Sequence, residues 1–355
     1  MHRRHFLKSS AAAAAALAAT GPTLLGIPRR TDDKNPVVGS GDYQYECHHY
    51  WGKLPASIEW QTTHGTAVDS QGLIYITHQG VGKNVMDTVV VFDDTGRYVR
   101  SFGKEWHGGG HGIDIRKDGA DEFLYLSMMS SNGPVAKCTL KGEVVWKAGR
   151  PETDTYKNPR APFKPTNVAF CPDGSFFVAD GYGSNWVQKH DKAGTLLNSF
   201  GGTGGKDGQF RTPHGLWVDR RDKAHPVLVV CDRANARLQW FDLDGKFLRA
   251  IPAKTEVYFP AHIDTRGDML MIADLHTRIS LYKNDKLVAQ LGEDPAWRAR
   301  VVASLSKGPA IRSQPKQWPA GKFVHPHDAC FDRDGNIFVA EWVDGGRITM
   351  LKKVA

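Results

Sequence analysis

An all-β chain folded as a six-bladed β-propeller is predicted by three features of the sequence. A short motif recurs six times: HGTAVD from His64, HGIDIR from His111, PTNV from Pro165, TPHGLWVD from Thr212, PAHI from Pro260 and HDACFD from His327. The copies are spaced by roughly 45–65 residues, the period of one four-stranded blade. Between them lie short β-branched and aromatic runs such as Leu73–Thr77, Phe123–Ser127, Ser175–Ala179 and Asn336–Ala340, bounded by Asp/Gly turn pairs. From Trp60 onward no long stretch has the 3.6-residue periodicity of a helix.

The chain of 355 residues divides in order. Residues 1–26 combine Arg3-Arg4, a short Ala/Leu run and small residues, the pattern of a twin-arginine export signal. Residues 27–59 are a polar lead-in with Tyr43, Tyr45, Tyr50 and Trp51, suited to supply the strand that closes the ring and so removes an exposed edge. Residues 60–355 form the propeller. The insert 292–323, with Trp297, Arg298, Arg300 and Trp318, reads as a lid over the axial mouth and has room for a short helix near Pro295–Leu305.

Composition narrows the function. The net charge of +8 is raised by Arg3, Arg4, Lys8, Arg29 and Arg30, so the body is only mildly basic and nucleic acid is not an expected partner. No apolar run after the N-terminus reaches membrane-spanning length. The mature chain is expected in the periplasm or outside the cell, as a monomer without stable membrane insertion. Five cysteines show no C-x-x-C spacing. Export permits a disulfide, for which Cys47 and Cys138 are one pairing, while Cys171, Cys231 and Cys330 read as buried thiols. His190 and His276 read as surface residues.

In a propeller the same position of every blade stands at the same height around one axis, so histidines repeated there converge. His111, His214 and His327 each precede an apolar strand core, and their imidazoles suit zinc or another divalent transition metal with a position left open. His64, His262 and His325 add imidazoles near the same mouth.

From His111 to the C-terminus the sequence resembles the NHL-type six-bladed propeller of peptidyl-α-hydroxyglycine α-amidating lyases. The segments are HGIDI at His111, PTNVAFCPDGSFFVADGYGSN at 165–185, TPHGLWV at 212–218, DRANARLQ at 232–239 and PHDACFDRDGNIFVAE at 326–341. The resemblance implies zinc on His111, His214 and His327, Tyr182 as the catalytic base and Arg233 as the arginine beside it. It further implies a structural calcium on Asp328 and main-chain carbonyls near Thr66 and Ile113. Gln79 stands where the lyases carry a second arginine, and His325 where they carry a methionine. With His64 and His262, these two are the candidate substrate-binding residues. The activity implied is cleavage of an α-hydroxy amide, of a small molecule or peptide, into an amide and a glyoxylate-type acid. A non-catalytic scaffold for a peptide, glycan or protein, and a metal-dependent hydrolase, are the rival readings.

Overall fold

The β-branched runs become strands and the Asp/Gly pairs become the turns between them. In this computed structural model, residues 35–80, 84–130, 133–158 and 160–354 are described. The export signal and the first residues of the lead-in lie outside them. Among the described residues the strands form six antiparallel sheets, the blades of a propeller. The innermost strands are Thr63–Val68, Gly110–Asp118, Asn167–Phe170, Pro213–Asp219, Pro260–Arg266 and Pro326–Phe331, in blades 1 to 6. In blade 6 the strand Tyr43–His49 pairs with the C-terminal strand Arg347–Lys353, which joins the two ends of the described chain in one sheet.

The turns are built locally. Asp93 Oδ1 accepts from the amides of Thr95 and Arg97, both at 3.0 Å. Asp191, Asp242 and Asp332 accept from the amides two and four residues on in the same way. One carboxylate therefore satisfies two turn amides, which is why the hairpin turns repeat as Asp-x-x-Gly.

Packing follows from the two-residue period of a strand. In the second strand of blade 4, Leu228 and Val230 face blade 3, where they meet Phe177 and Val187. Val229 and Cys231 face blade 5, against Ile263 and Ile272. Every neighbouring pair of blades shares such a cluster, so the core is a ring of six wedges. All five cysteines are free and buried. The Cys47–Cys138 pairing is thereby corrected: Cys47 packs between blades 5 and 6 and Cys138 between blades 1 and 2.

The insert carries a helix, Pro295–Ser304, with Pro295 at its start and Asp294 accepting from the amides of Ala296 and Trp297. Trp297, Val301 and Ile311 pack on Val324 and Val343 of the body. The insert is also held by charge. Glu341 Oε1 accepts from the Val324 amide at 2.7 Å, and the Glu341 carboxylate pairs with the fully buried Arg347. Arg347 in turn donates to the Lys322 carbonyl at 3.0 Å and lies under the Trp318 ring.

Candidate metal centre and active site

His64, His111, His214 and His327 are each the second residue of an innermost strand. In blades 1, 2 and 4 the residue after the histidine is glycine, inside an irregularity of strand pairing that turns the side chain toward the axis. The glycine is required by a close approach. A Cβ on Gly112 would stand 2.3 Å from the Thr166 carbonyl oxygen, and one on Gly215 2.5 Å from that of Ala261. Those same carbonyls accept from the histidine rings. His111 Nδ1 donates to Thr166 O at 2.8 Å and His214 Nδ1 to Ala261 O at 2.6 Å. His327 Nδ1 donates to His64 O at 2.9 Å.

These bonds fix the tautomers, because a carbonyl can only accept. With the proton on Nδ1, each Nε2 presents a bare lone pair to the axis. His111 Nε2 and His214 Nε2 are 3.2 Å apart. The His327 ring centroid lies 4.7 Å from that of His111 and 4.6 Å from that of His214. Two lone pairs at 3.2 Å cannot bond to each other. That distance is close to the ~3.3 Å edge of a tetrahedron with bonds of ~2.0 Å to zinc. His327 Nε2 is buried with no hydrogen-bond partner. Such a donor set is chemically suited to a divalent cation, and backbone carbonyls behind imidazoles are the usual outer support of metal sites.

His64, expected among the substrate-binding residues, belongs to the same cluster. The ligand atoms of His64, His111 and His327 all lie within 4.8 Å of one another, a group able to hold a metal ion. Burial holds His111 down to about 3, with the nearby Arg233 guanidinium and His262 adding to the effect. Burial, helped by neighbouring imidazoles and Arg233, keeps His64, His214 and His327 well below the usual histidine range. All four are neutral near pH 7, as ligation demands.

Tyr182 stands against the His111–His214 edge. Its hydroxyl lies 3.0 Å from His214 Nε2 and 3.3 Å from His111 Nε2, and accepts from Arg233 Nη1 at 3.1 Å. Asp180 shapes the loop, accepting from the amides of Lys164 and Ser184 and from the Tyr156 hydroxyl. The Arg233 guanidinium packs over the rings of Tyr182 and Phe259, and among the described residues no carboxylate lies within ion-pair distance of it.

Gln79 lies next to His64, where its amide favours the charged imidazole. His325 donates from Nδ1 to Leu275 O, packs against Trp342, and leaves Nε2 buried without a partner. Arg312, from the insert, lies 3.4 Å above the Trp342 ring centroid, pairs with Asp344 at 2.9 Å and reaches the Thr62 hydroxyl at 3.4 Å. Sequence reasoning singled out neither Arg312 nor Trp342, because neither belongs to the repeated motif.

His262 is the exception. It is the third residue of its strand, one step past the other histidines. It takes part in a second layer, with Nδ1 2.6 Å from Asn167 Nδ2 and Nε2 3.4 Å from Asp328 Oδ1. In that layer burial and the charges of Asp114 and Asp264 push the Asp328 carboxyl well up, and its Oδ1 has no hydrogen-bond partner. Asp114 and Asp264 line an adjoining cavity of about 310 Å³ with Thr66 and Cys330. Neither was expected from the sequence, although HGID and HID in the aligned copies carry the signal. The surface placement of His190 is corrected: it is buried and stacked on Phe176. His276 is half-buried and stacked on Phe259.

Comparison with known proteins agrees with the repeat and with the N-terminus. Residues 1–20 match the TAT (twin-arginine translocation) pathway signal sequence, which directs export across a membrane. Peptidyl-glycine alpha-amidating monooxygenase A of Xenopus laevis is 30% identical over 185 residues, covering 49% of this chain and 18% of the relative. Peptidyl-alpha-hydroxyglycine alpha-amidating lyase 1 of Drosophila melanogaster is 29% identical over 195 residues, 50% of this chain and 33% of the relative. The match thus spans a third or less of either curated relative. Among solved structures, a streptogramin B lyase superposes with a TM-score of 0.58 at 13% identity, covering 86% of this chain and 98% of its own. A gluconolactonase from Xanthomonas campestris gives 0.59 at 11% identity, covering 90% and 95%. Among the described residues no helix is long and apolar enough to cross a membrane. The chain is a six-bladed propeller behind a twin-arginine signal, with amidating enzymes among its sequence relatives and the fold shared by lyases and lactonases.

Proposed function

We propose that this chain is a periplasmic or secreted metal-dependent lyase that splits an α-hydroxy amide into an amide and a glyoxylate-type acid. The observation that carries the reading is the Tyr182 hydroxyl, held by Arg233 against two imidazoles whose Nε2 lone pairs converge on the axis. His111, His214 and His327 would hold zinc, and Asp328 in the second layer a structural calcium. Bound zinc supplies Lewis acidity to a substrate hydroxyl.

Tyr182 Oη takes the hydroxyl proton as the carbonyl forms, and the adjacent C–N bond breaks. The electron pair of that bond goes to the amide nitrogen, which receives the proton from Tyr182. One substrate gives one amide and one aldehyde acid, with no oxidant consumed. Arg233 donates to Tyr182 Oη at 3.1 Å and so holds that oxygen in place during the transfer. Gln79, beside His64, and His325, against Trp342, would be the substrate contacts from blades 1 and 6. The substrate would be a small molecule or peptide, and the protein a monomer.

The test is glyoxylate release from a peptide ending in α-hydroxyglycine. The reading predicts release that stops on chelation and returns with zinc. Cleavage of ester or lactone probes without glyoxylate would replace it with a hydrolase, and a protein that binds no metal would leave a scaffold.

A further inference from the structure

We propose that Arg312, on the insert, is the receptor for a carboxylate of the substrate, so that the mouth selects α-hydroxy amides that end in a free acid. The inference rests on the lyase reading above and adds to it a residue outside the repeated motif.

The insert fixes Arg312 from both sides. Ile311 before it packs with Val324 and Val343, and the Arg312 carbonyl accepts from the Asp344 amide at 3.1 Å. The Trp318 indole donates to the Ile311 carbonyl at 2.7 Å. From there the side chain crosses the seam between two blades. Its guanidinium lies 3.4 Å above the Trp342 ring centroid in blade 6, and it reaches the Thr62 hydroxyl, just before the first strand of blade 1, at 3.4 Å.

Both neighbours lead to the candidate substrate contacts. Trp342 packs on the His325 ring, with centroids 5.6 Å apart. The Thr62 carbonyl accepts from the Gln79 amide at 2.9 Å, and the Gln79 side chain is a hydrogen-bond partner of His64. The Arg312 charge accordingly acts on both imidazoles, His64 and His325, and helps burial to keep them neutral.

The guanidinium lacks a counter-ion of matching burial. Arg347, which also holds the insert, pairs with Glu341, and the two side chains are 1% and 0% exposed. Burial there opposes the charge, yet Glu341 overrides it and raises the arginine pKa. The Arg312 side chain is 17% exposed, but Asp344, its ion-pair partner, is 54% exposed. A pair so open to water contributes little. Burial lowers the Arg312 pKa from the usual arginine value, and Asp344 offsets this only in part. Asp344 and Thr62 both meet Nη2, while Nε is buried with no hydrogen-bond partner. A planar fork stacked on an indole and short of an acceptor is matched by a carboxylate, which takes two parallel N–H bonds.

The experiment measures binding to the full-length protein by calorimetry, with N-acetyl-phenylalanylglycine and its C-terminal amide as probes. Neither carries the α-hydroxyl, so the readout does not depend on turnover. The proposal predicts that the wild type prefers the acid. Arg312→Met, which keeps an apolar stem on Trp342, should weaken acid binding about 10–100-fold and shift amide binding by less than about twofold. Arg312→Lys should recover only part of the loss, because a point charge does not replace the fork. Asp344→Asn removes the competing carboxylate and should tighten acid binding. Equal losses for acid and amide, no loss, or a wild type indifferent to the two would overturn the proposal. Glyoxylate release from the α-hydroxyglycine peptide is followed alongside. A wild type that binds the acid through Arg312 yet releases no glyoxylate would overturn the lyase reading alone.

Discussion

Acid should barely weaken metal binding at this centre. In an exposed site each histidine titrates near 6.5, so going from pH 7 to pH 5 makes a proton compete for every ligand. The loss is about 25-fold per imidazole and about 10⁴-fold for three. Here burial holds His111 down to about 3 and keeps His214 and His327 well below the usual range. The sign is set by those depressed values: the ligands remain unprotonated throughout the interval, and protons begin to compete only as pH falls toward the folded-state value. Zinc affinity should therefore change by less than about tenfold between pH 7 and pH 5. Competition titrations against a chelator whose own protonation is known would measure this, with near-ultraviolet circular dichroism confirming that the fold persists. A fall approaching 10⁴-fold would refute the reasoning, since it would mean the imidazoles meet water as ordinary histidines do.

Three substitutions probe other parts of the account. Tyr182→Phe should retain full metal content and lower kcat for glyoxylate release by about 10²–10⁴-fold with little change in KM, the range expected for loss of a general acid–base group. Gly112→Ala drives a Cβ to 2.3 Å from Thr166 O, so blades 2 and 3 must separate. It should cost about 1–3 kcal/mol by denaturant titration and weaken zinc binding about 10–100-fold, because the same carbonyl orients His111. Glu341→Ala leaves the buried Arg347 uncompensated and should destabilise the protein by about 3–5 kcal/mol in the same titration.

Much of the fold was legible because a propeller repeats one unit. The position of the histidine in each copy gave its height on the axis, and the Asp/Gly pairs marked the hairpin turns. What escaped the sequence depends on a single residue of register or on a segment outside the repeat. His262 looks like its neighbours but is one residue later in its strand, which drops it to the layer of Asn167 and Asp328. His64 reads like the other motif histidines, yet only coordinates reveal that its ring sits against those of His111 and His327. Arg312 reaches the mouth through the fold of the insert, a path no periodicity encodes. The cysteines could not be paired from spacing because consecutive strand residues face different wedges of the core.

The convergence of imidazoles on one ion is tested most directly by anomalous diffraction at the zinc edge from crystals of the zinc-loaded protein. The account predicts a single strong axial peak at ~2.0–2.1 Å from Nε2 of each of His111, His214 and His327. A fully occupied ion bound elsewhere, or an axis without a peak while those three rings keep the positions described, would contradict it.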